Sequence, residues 1–152
     1  MPLLGLVMDS ASDEPIVQGT MDTLDQLQVD YEVRVMSAHR NPEKVRDYAL
    51  TARERGIEVF ISAAGGSAAL GGVLAAWSTI PVIGIPLASS DLKGIDALMG
   101  TVQMPLGVPV ACMAVGPSGA QNAALFAAQV LGIKHKDIRE AFENYRNELQ
   151  GN

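Results

Sequence analysis

The sequence has little of what disulfide scaffolds, metal sites and nucleic-acid binders need. One cysteine and two histidines among 152 residues offer neither a disulfide framework nor a metal-ligand spacing, so we expect a cytoplasmic protein. A net charge of −6 argues against the basic face that nucleic-acid binding requires. The apolar runs are short and are broken by glycine and proline, which argues against a membrane span. We therefore expect neither nucleic acid nor a membrane as a partner.

Aromatic residues are also few, at 5%, whereas apolar residues make up 48%. The core must then be built from alanine, valine, leucine, isoleucine and methionine. A chain of 152 residues is long enough to bury one such core. We expect residues 1–152 to form a single domain.

The sequence does contain a regular alternation of strand and helix patterns. Five apolar or alternating runs predict strands at residues 3–8, 31–36, 58–62, 81–85 and 108–114. A helical pattern follows each run, and the predicted helices end near residues 27, 55, 77, 100 and 131. Strands that alternate with helices are typical of parallel βαβ units. The prediction is an α/β three-layer αβα sandwich with a flavodoxin-like, doubly wound parallel sheet.

An extra helix is predicted at about residues 134–150, where an apolar stripe recurs at helical spacing. The five βαβ units already cover both faces of the sheet. The stripe therefore packs either on a partner subunit or on its own domain.

The loop at residues 37–42 carries Ser37, His39 and Arg40 directly after a predicted strand. Open α/β sheets bind ligands at the carboxyl ends of their strands. Histidine can give and take a proton near neutral pH, and arginine can hold a phosphate. A histidine with no function in an exposed loop would have the same local sequence, but its position after a strand favours catalysis by His39.

The loop at residues 9–13 is a second candidate. The hydroxyls of Ser10 and Ser12, together with a helix N-terminus, can donate hydrogen bonds to a phosphate. The carboxylate of Asp13 can bind ribose hydroxyls. Ser12 is alternatively only the N-cap of the first helix.

A third loop, residues 63–72, is rich in glycine and alanine, so its backbone can approach a ligand closely. Ser67 in G-G-S-A-A partly matches a nucleophile elbow. A serine hydrolase is disfavoured because the one histidine after Ser67 is His135, near the terminal helix. We expect His135 to be solvated and Cys112 to lie in the core.

Several of these segments resemble the PurE family of purine biosynthesis. Residues 9–13 correspond to its G-S-x-S-D loop and residues 37–42 to its S-A-H-R-T-P loop, and later segments at 81–86, 102–111 and 119–124 are similar too. The resemblance covers nearly the whole chain. It implies a homo-octamer that needs no metal or organic cofactor and acts on aminoimidazole ribonucleotides, with CO2 as an intermediate or a substrate.

The resemblance also implies roles for individual residues. His39 would be the general acid and base, and Ser10, Asp13 and Arg40 would hold ribose and phosphate. Ser12 and Ser37 belong to the same two substrate-binding loops. The third loop would trap CO2 against His39, and its substrate-binding residues would be Gly65, Gly66, Ser67 and Leu70. The main hypothesis is a mutase that moves a carboxylate from the exocyclic nitrogen of N5-carboxyaminoimidazole ribonucleotide to ring carbon C4.

The chain departs from the mutase pattern in two places. Asp9 replaces the family's first glycine, and Ala69 replaces the second histidine of the A-G-G-A-A-H-L-P-G loop. Ser67 and Ala69 instead match the loop of the family's carboxylases, A-G-R-S-N-A-L-S-G, while Leu70 and Gly72 fit both patterns. Direct carboxylation of aminoimidazole ribonucleotide with CO2 is therefore an alternative, and a silent nucleotide-binding paralogue is another.

Overall fold

The computed structural model describes residues 1–151, which form five strands and six α-helices in alternation. The strands are β1 (Leu4–Met8), β2 (Tyr31–Val35), β3 (Val59–Gly65), β4 (Val82–Leu87) and β5 (Ala111–Cys112). The helices are α1 (Glu14–Gln26), α2 (Pro42–Thr51), α3 (Leu70–Trp77), α4 (Ile95–Val102), α5 (Pro117–Gly132) and α6 (Lys136–Gly151). Among residues 1–151, no helix has both the length and the apolar character needed to cross a membrane.

The five strands form one parallel sheet in the order β2-β1-β3-β4-β5. From β1 the chain moves outward to β2, and it then returns to build β3, β4 and β5 on the other side. Such a reversal opens a crevice at the carboxyl ends of the two strands where it occurs. The flavodoxin-like prediction is confirmed, and the crevice lies between β1 and β3.

The helices cover both faces of the sheet, which gives three layers. One core joins the sheet to α1 and α5 through a row of buried alanines, and the other joins it to α2, α3 and α4. β1 supplies both cores, because Leu4 and Leu6 face one side and Val7 faces the other, all fully buried. This burial on both faces is what the continuous apolar run of β1 predicts.

The extra C-terminal helix packs on its own domain for most of its apolar stripe. Ile138 is buried in the core beneath α5, and Ala141, Phe142 and Tyr145 pack against that core. Leu149, at the end of the stripe, is exposed. The helix therefore forms an outer layer over α5.

The fifth strand is much shorter than its apolar run predicted. Only Ala111 and Cys112 pair with β4, while residues 108–110 lie outside the ladder. Pro109 has no N–H to donate, and a strand beside proline is confined to the sheet edge. Cys112 is therefore half-buried at that edge, and its expected place in the core was wrong.

Two helix boundaries differ from the prediction for local backbone reasons. α2 ends at Thr51, and a 3-10 turn at Arg53–Arg55 continues to Gly56, whose φ of 92° stops the helix as expected. α4 begins at Ile95 because the residues before it form a turn in which Lys93 and Gly94 have positive φ. These turns add loop length at both edges of the sheet.

Candidate functional site

Four loops meet at the carboxyl edge of the sheet in the order that the strands impose. Residues 36–41 follow β2, residues 9–13 follow β1, residues 65–69 close β3, and residues 88–94 follow β4. Hydrogen bonds continue the ladder into them, from the Asp9 N–H to the Ala63 carbonyl (3.0 Å) and from the Met36 N–H to the Met8 carbonyl (2.9 Å). The loops after β1 and β2 are thus held to the sheet by backbone hydrogen bonds.

The loop after β1 forms a 3-10 turn, Ala11–Asp13, which Ser10 caps. Ser10 Oγ accepts a hydrogen bond from the Ser12 N–H at 3.3 Å and lies 2.8 Å from Ser12 Oγ. The expected N-cap role of Ser12 was wrong, because α1 begins only at Glu14. Ser12 is exposed, so the two paired hydroxyls stand at the surface of the edge.

Asp13 is buried in the same loop, with 8% of its surface exposed. Burial raises the pKa of its carboxyl, a backbone hydrogen bond from Ser10 opposes the rise, and the charge of Asp9 adds to it. An acidic group that is desolvated without a cationic partner is common at binding sites. Its oxygens can accept hydrogen bonds from ligand hydroxyls.

The loop after β2 is held by Ser37 and displays its two neighbours. Ser37 is buried, its Oγ accepts a hydrogen bond from the Arg40 N–H at 3.1 Å, and its carbonyl accepts one from the Asn41 N–H at 2.8 Å. His39 and Arg40 are exposed at the edge. Ser37 therefore fixes the backbone from which an imidazole and a guanidinium project.

The loop after β3 is shaped by its backbone. Gly66 has φ of 59° with open space where a Cβ would stand, and Ala68 adopts the same left-handed region with φ of 49°. The Ala68 N–H donates to the Gly65 carbonyl at 3.0 Å and closes the turn. Ser67 is exposed, and Leu70 is fully buried beneath the loop, so its side chain supports the loop from the core.

The sequence predicts glycine in this loop so that the backbone can approach a ligand, but the structure gives a different reason for glycine at residue 65. A Cβ there would overlap with the Oγ of Ser89, which comes from the loop after β4. The space above Gly65 is therefore occupied by Ser89, and the open space is above Gly66. The third and fourth loops touch at this point.

The fourth loop contains residues that were not singled out from the sequence. The Oγ of Ser90 donates to Asp96 Oδ2 at 2.5 Å and accepts a hydrogen bond from the Leu92 N–H at 3.2 Å. The polar run at residues 89–91, directly after a strand, was the available signal. The position of Asp96 in a helix gave no comparable signal.

His135 lies at the opposite edge of the sheet, and its expected solvation was wrong. Its Nε2 is 2.8 Å from Glu58 Oε2, and Lys134 Nζ is 2.5 Å from Glu58 Oε1. Burial disfavours the charged carboxylate, but the hydrogen bonds from Lys134 and His135 outweigh it and lower the pKa of Glu58. The seven residues of β3 span about 20 Å, so His135 is remote from Ser67 and no hydrolase triad forms. His39 is the histidine of the site.

The chain is similar to known proteins both in sequence and in fold. The sequence model of the AIR carboxylase family matches residues 3–152. A protein of Pyrococcus abyssi named N5-carboxyaminoimidazole ribonucleotide mutase is 51% identical over 150 residues, 99% of this chain and 85% of that protein. One of the same name from Pseudomonas aeruginosa is 49% identical over 144 residues, 95% and 88% of the two chains. The crystal structure of Treponema denticola PurE superposes with a TM-score of 0.86 at 25% identity, covering 99% and 93% of the two chains.

Proposed function

The chain belongs to the AIR carboxylase family, and from this premise we propose that it acts as an N5-carboxyaminoimidazole ribonucleotide mutase in purine biosynthesis. The observation that carries the proposal is the pairing of an exposed His39 and Arg40 on a loop that lies beside the β1–β3 crevice. Relatives named for this activity, at 43–51% identity over nearly the whole chain, support it.

Substrate binding in this proposal uses the two loops nearest the crevice. Arg40 and the paired hydroxyls of Ser10 and Ser12 hold the phosphate of the ribonucleotide. Asp13 accepts hydrogen bonds from the ribose hydroxyls. That contact gives a partner to a carboxyl that burial otherwise leaves poorly solvated.

His39 makes both proton transfers. Its imidazolium gives a proton to the exocyclic nitrogen while the bond from that nitrogen to the carboxylate carbon breaks and its electron pair stays on nitrogen, which releases CO2. Carbon C4 then forms a bond to CO2, and the neutral imidazole removes the proton from C4. His39 gives one proton to nitrogen and takes one from C4, so the proposed reaction is an isomerisation. The proposal includes no metal or organic cofactor. The loop at residues 65–69 keeps CO2 near C4, which makes its recapture a positioned step.

Direct carboxylation of aminoimidazole ribonucleotide with CO2 is the second candidate, and residue 69 favours it. Ala69 stands at the start of α3 where the mutase pattern has a histidine, and both Ala69 and Ser67 match the carboxylase pattern. His39 would still remove the C4 proton. The relatives' shared name favours the mutase over this candidate.

An assay with each ribonucleotide, with and without added bicarbonate, separates the candidates. We expect N5-carboxyaminoimidazole ribonucleotide to give the C4-carboxylated product without bicarbonate. Turnover of aminoimidazole ribonucleotide that rises with bicarbonate, with none of the N5-carboxylated compound, would establish the carboxylase instead. Absence of any turnover with either substrate would favour a silent nucleotide-binding paralogue or an enzyme with a different substrate.

We also propose that the chain assembles as a homo-octamer. Large apolar side chains stay exposed on the α2–α4 side of one chain, namely Leu50, Trp77, Met99, Val102 and Leu106. Exposed apolar surface of this extent marks a site of protein contact. Light scattering should give about eight times the chain mass of 16.0 kDa, and Trp77→Glu should lower that mass. A stable monomer of the unmodified protein would contradict the octamer.

A cytoplasmic location belongs to the same proposal. The lone cysteine, Cys112, is free and half-buried, as in proteins that do not depend on disulfides. Cell fractionation checks the location directly.

A further inference from the structure

The loop after β4 is held together by one serine. The Oγ of Ser90 donates to Asp96 Oδ2 at 2.5 Å while it accepts from the Leu92 N–H at 3.2 Å, and the Ser90 carbonyl accepts from the Lys93 N–H at 3.0 Å. Because a hydroxyl has a single proton, an obligate acceptor at Asp96 leaves the oxygen of Ser90 free to accept from Leu92. The two hydrogen bonds of the Ser90 hydroxyl therefore run in one direction, from the Leu92 N–H through Ser90 Oγ to Asp96.

The segment at residues 88–94 packs against the loops of the candidate site. The Oγ of Ser89 occupies the position that a Cβ of Gly65 would take, and Gly94 packs so closely on Val115 that a Cβ would overlap it. α4 itself touches the third loop, since a Cβ at Gly100 would stand 2.6 Å from the Ser67 carbonyl oxygen. These contacts make residues 88–94 a wall against the loop at residues 65–69.

The two carboxylate oxygens of Asp96 have different surroundings, because Oδ2 accepts the hydrogen bond from Ser90 and Oδ1 does not. Oδ1 is buried and makes no hydrogen bond of its own to residues 1–151, although amides of the first turn of α4 lie close enough to favour its charge. The hydrogen bond from Ser90 is the largest influence, it outweighs burial, and the pKa of Asp96 is lowered. The side chain is thus an ionised acceptor, which makes the bond to Ser90 stronger than a neutral pair would.

We propose that Asp96 is a positioning residue, which acts through Ser90 to hold residues 88–94 against the Gly65 loop and so keeps the CO2-retaining wall closed. The inference rests on the proposed function, because CO2 retention matters only if CO2 is formed at this edge. Asp96 touches neither His39 nor the reacting atoms; its effect is on how long CO2 stays beside C4.

The measurement is the partition of N5-carboxyaminoimidazole ribonucleotide between C4-carboxylated product and free aminoimidazole ribonucleotide, after subtraction of the enzyme-free background. In Asp96→Asn we expect the free fraction to rise about threefold to tenfold, the effect of losing one charge-assisted hydrogen bond. Ser90→Ala should reproduce the rise, and Ser90→Thr, which keeps the hydroxyl, should restore most of the retention. Asp137→Asn, which changes an exposed carboxylate on α6 in the same way, is the matched control and should partition like the unmodified protein.

A merely structural role would lower the folded fraction but would leave the partition of each folded enzyme unchanged. An unchanged partition in both Asp96→Asn and Ser90→Ala would therefore overturn the proposal. If the unmodified protein turns over neither ribonucleotide, the proposed function fails separately, and amide hydrogen exchange of residues 88–94 then tests the positioning. Asp96→Asn and Ser90→Ala should speed that exchange and Asp137→Asn should not; equal rates in all three variants would contradict the role of Asp96.

Discussion

The loop that carries His39 and the loop that begins at Gly65 lie at the same edge of the sheet, yet they contribute in different ways. The first displays charged and titratable side chains from a backbone that Ser37 holds by two hydrogen bonds. The second contributes shape, through positive φ at Gly66 and Ala68 and through close contact with Ser89. The role of the first loop can therefore be predicted from the chemistry of its side chains, whereas the shape of the second depends on packing against another loop.

The largest expected effect comes from removing the imidazole of the first loop. His39→Asn should lower kcat by about 10²- to 10⁴-fold, the usual contribution of general acid–base catalysis. Because His39 is exposed, the melting temperature should hardly change. His135→Asn is the matched control: it removes the bond to Glu58 and should lower stability without a comparable loss of kcat. Similar kcat values in the two variants would show that the first loop does not act through its histidine.

A smaller loss of activity is expected when the shape of the loop that begins at Gly65 is changed. In Gly65→Ala the new Cβ would overlap with Ser89, so the wall at residues 88–94 has to move. Overpacking of this kind costs about 1–3 kcal/mol, and we expect kcat/KM to fall about tenfold. Steady-state kinetics and a denaturant titration measure the two effects. Gly19→Ala, where a Cβ meets only the flexible side chain of Gln121, is the control and should keep full activity.

The smallest effect is expected at Asp13, a buried carboxylate in the loop at residues 9–13, which lies between the other two loops. Burial raises the pKa of Asp13, so its ionised form costs stability that the protonated form does not. Asp13→Asn should therefore be more stable than the unmodified protein at pH 7, by about 1 kcal/mol or less. The difference should shrink as the pH falls through the raised pKa towards the ordinary value of 3.8. Substrate KM should rise because the amide offers the ribose hydroxyls one uncharged acceptor oxygen in place of a carboxylate with two.

Thermal unfolding at several pH values, with Glu14→Gln as the control, measures this difference. Glu14 is the exposed neighbour in the first turn of α1, so its substitution should give no comparable gain. A loss of stability in Asp13→Asn at pH 7 would show that the carboxylate is better solvated than its burial indicates.

Much of the fold follows from patterns of apolar residues that local sequence already contains. The continuous run of β1 is buried on both faces, and Gly56 ends the helical segment that follows β2. The fifth strand could not be placed in this way. Its apolar run at residues 108–114 is as strong as the others, but pairing depends on donors and on a neighbouring strand, and only Ala111 and Cys112 pair.

The residues of the candidate site also differ in how well the sequence predicts them. His39 and Arg40 were visible in the sequence because their residue types carry chemistry and they follow a strand. Ser12 and His135 were placed less well, since a cap and an ion-pair partner differ only in what lies across from them. Asp96 was missed because its partner, Ser90, is six residues away on a turn that the sequence does not specify.

Sequence patterns are enough to predict the alternation of strands and helices, the edge at which the loops gather, and the residue types available there for proton transfer and phosphate binding. These depend on periodicity and on the chemistry of single side chains, which are local properties. The packing of the folded chain determines which loops touch, why residue 65 is a glycine, and which carboxylates are buried. Those outcomes depend on contacts between segments far apart in the chain, and their energies come from packing and desolvation that no single segment contains.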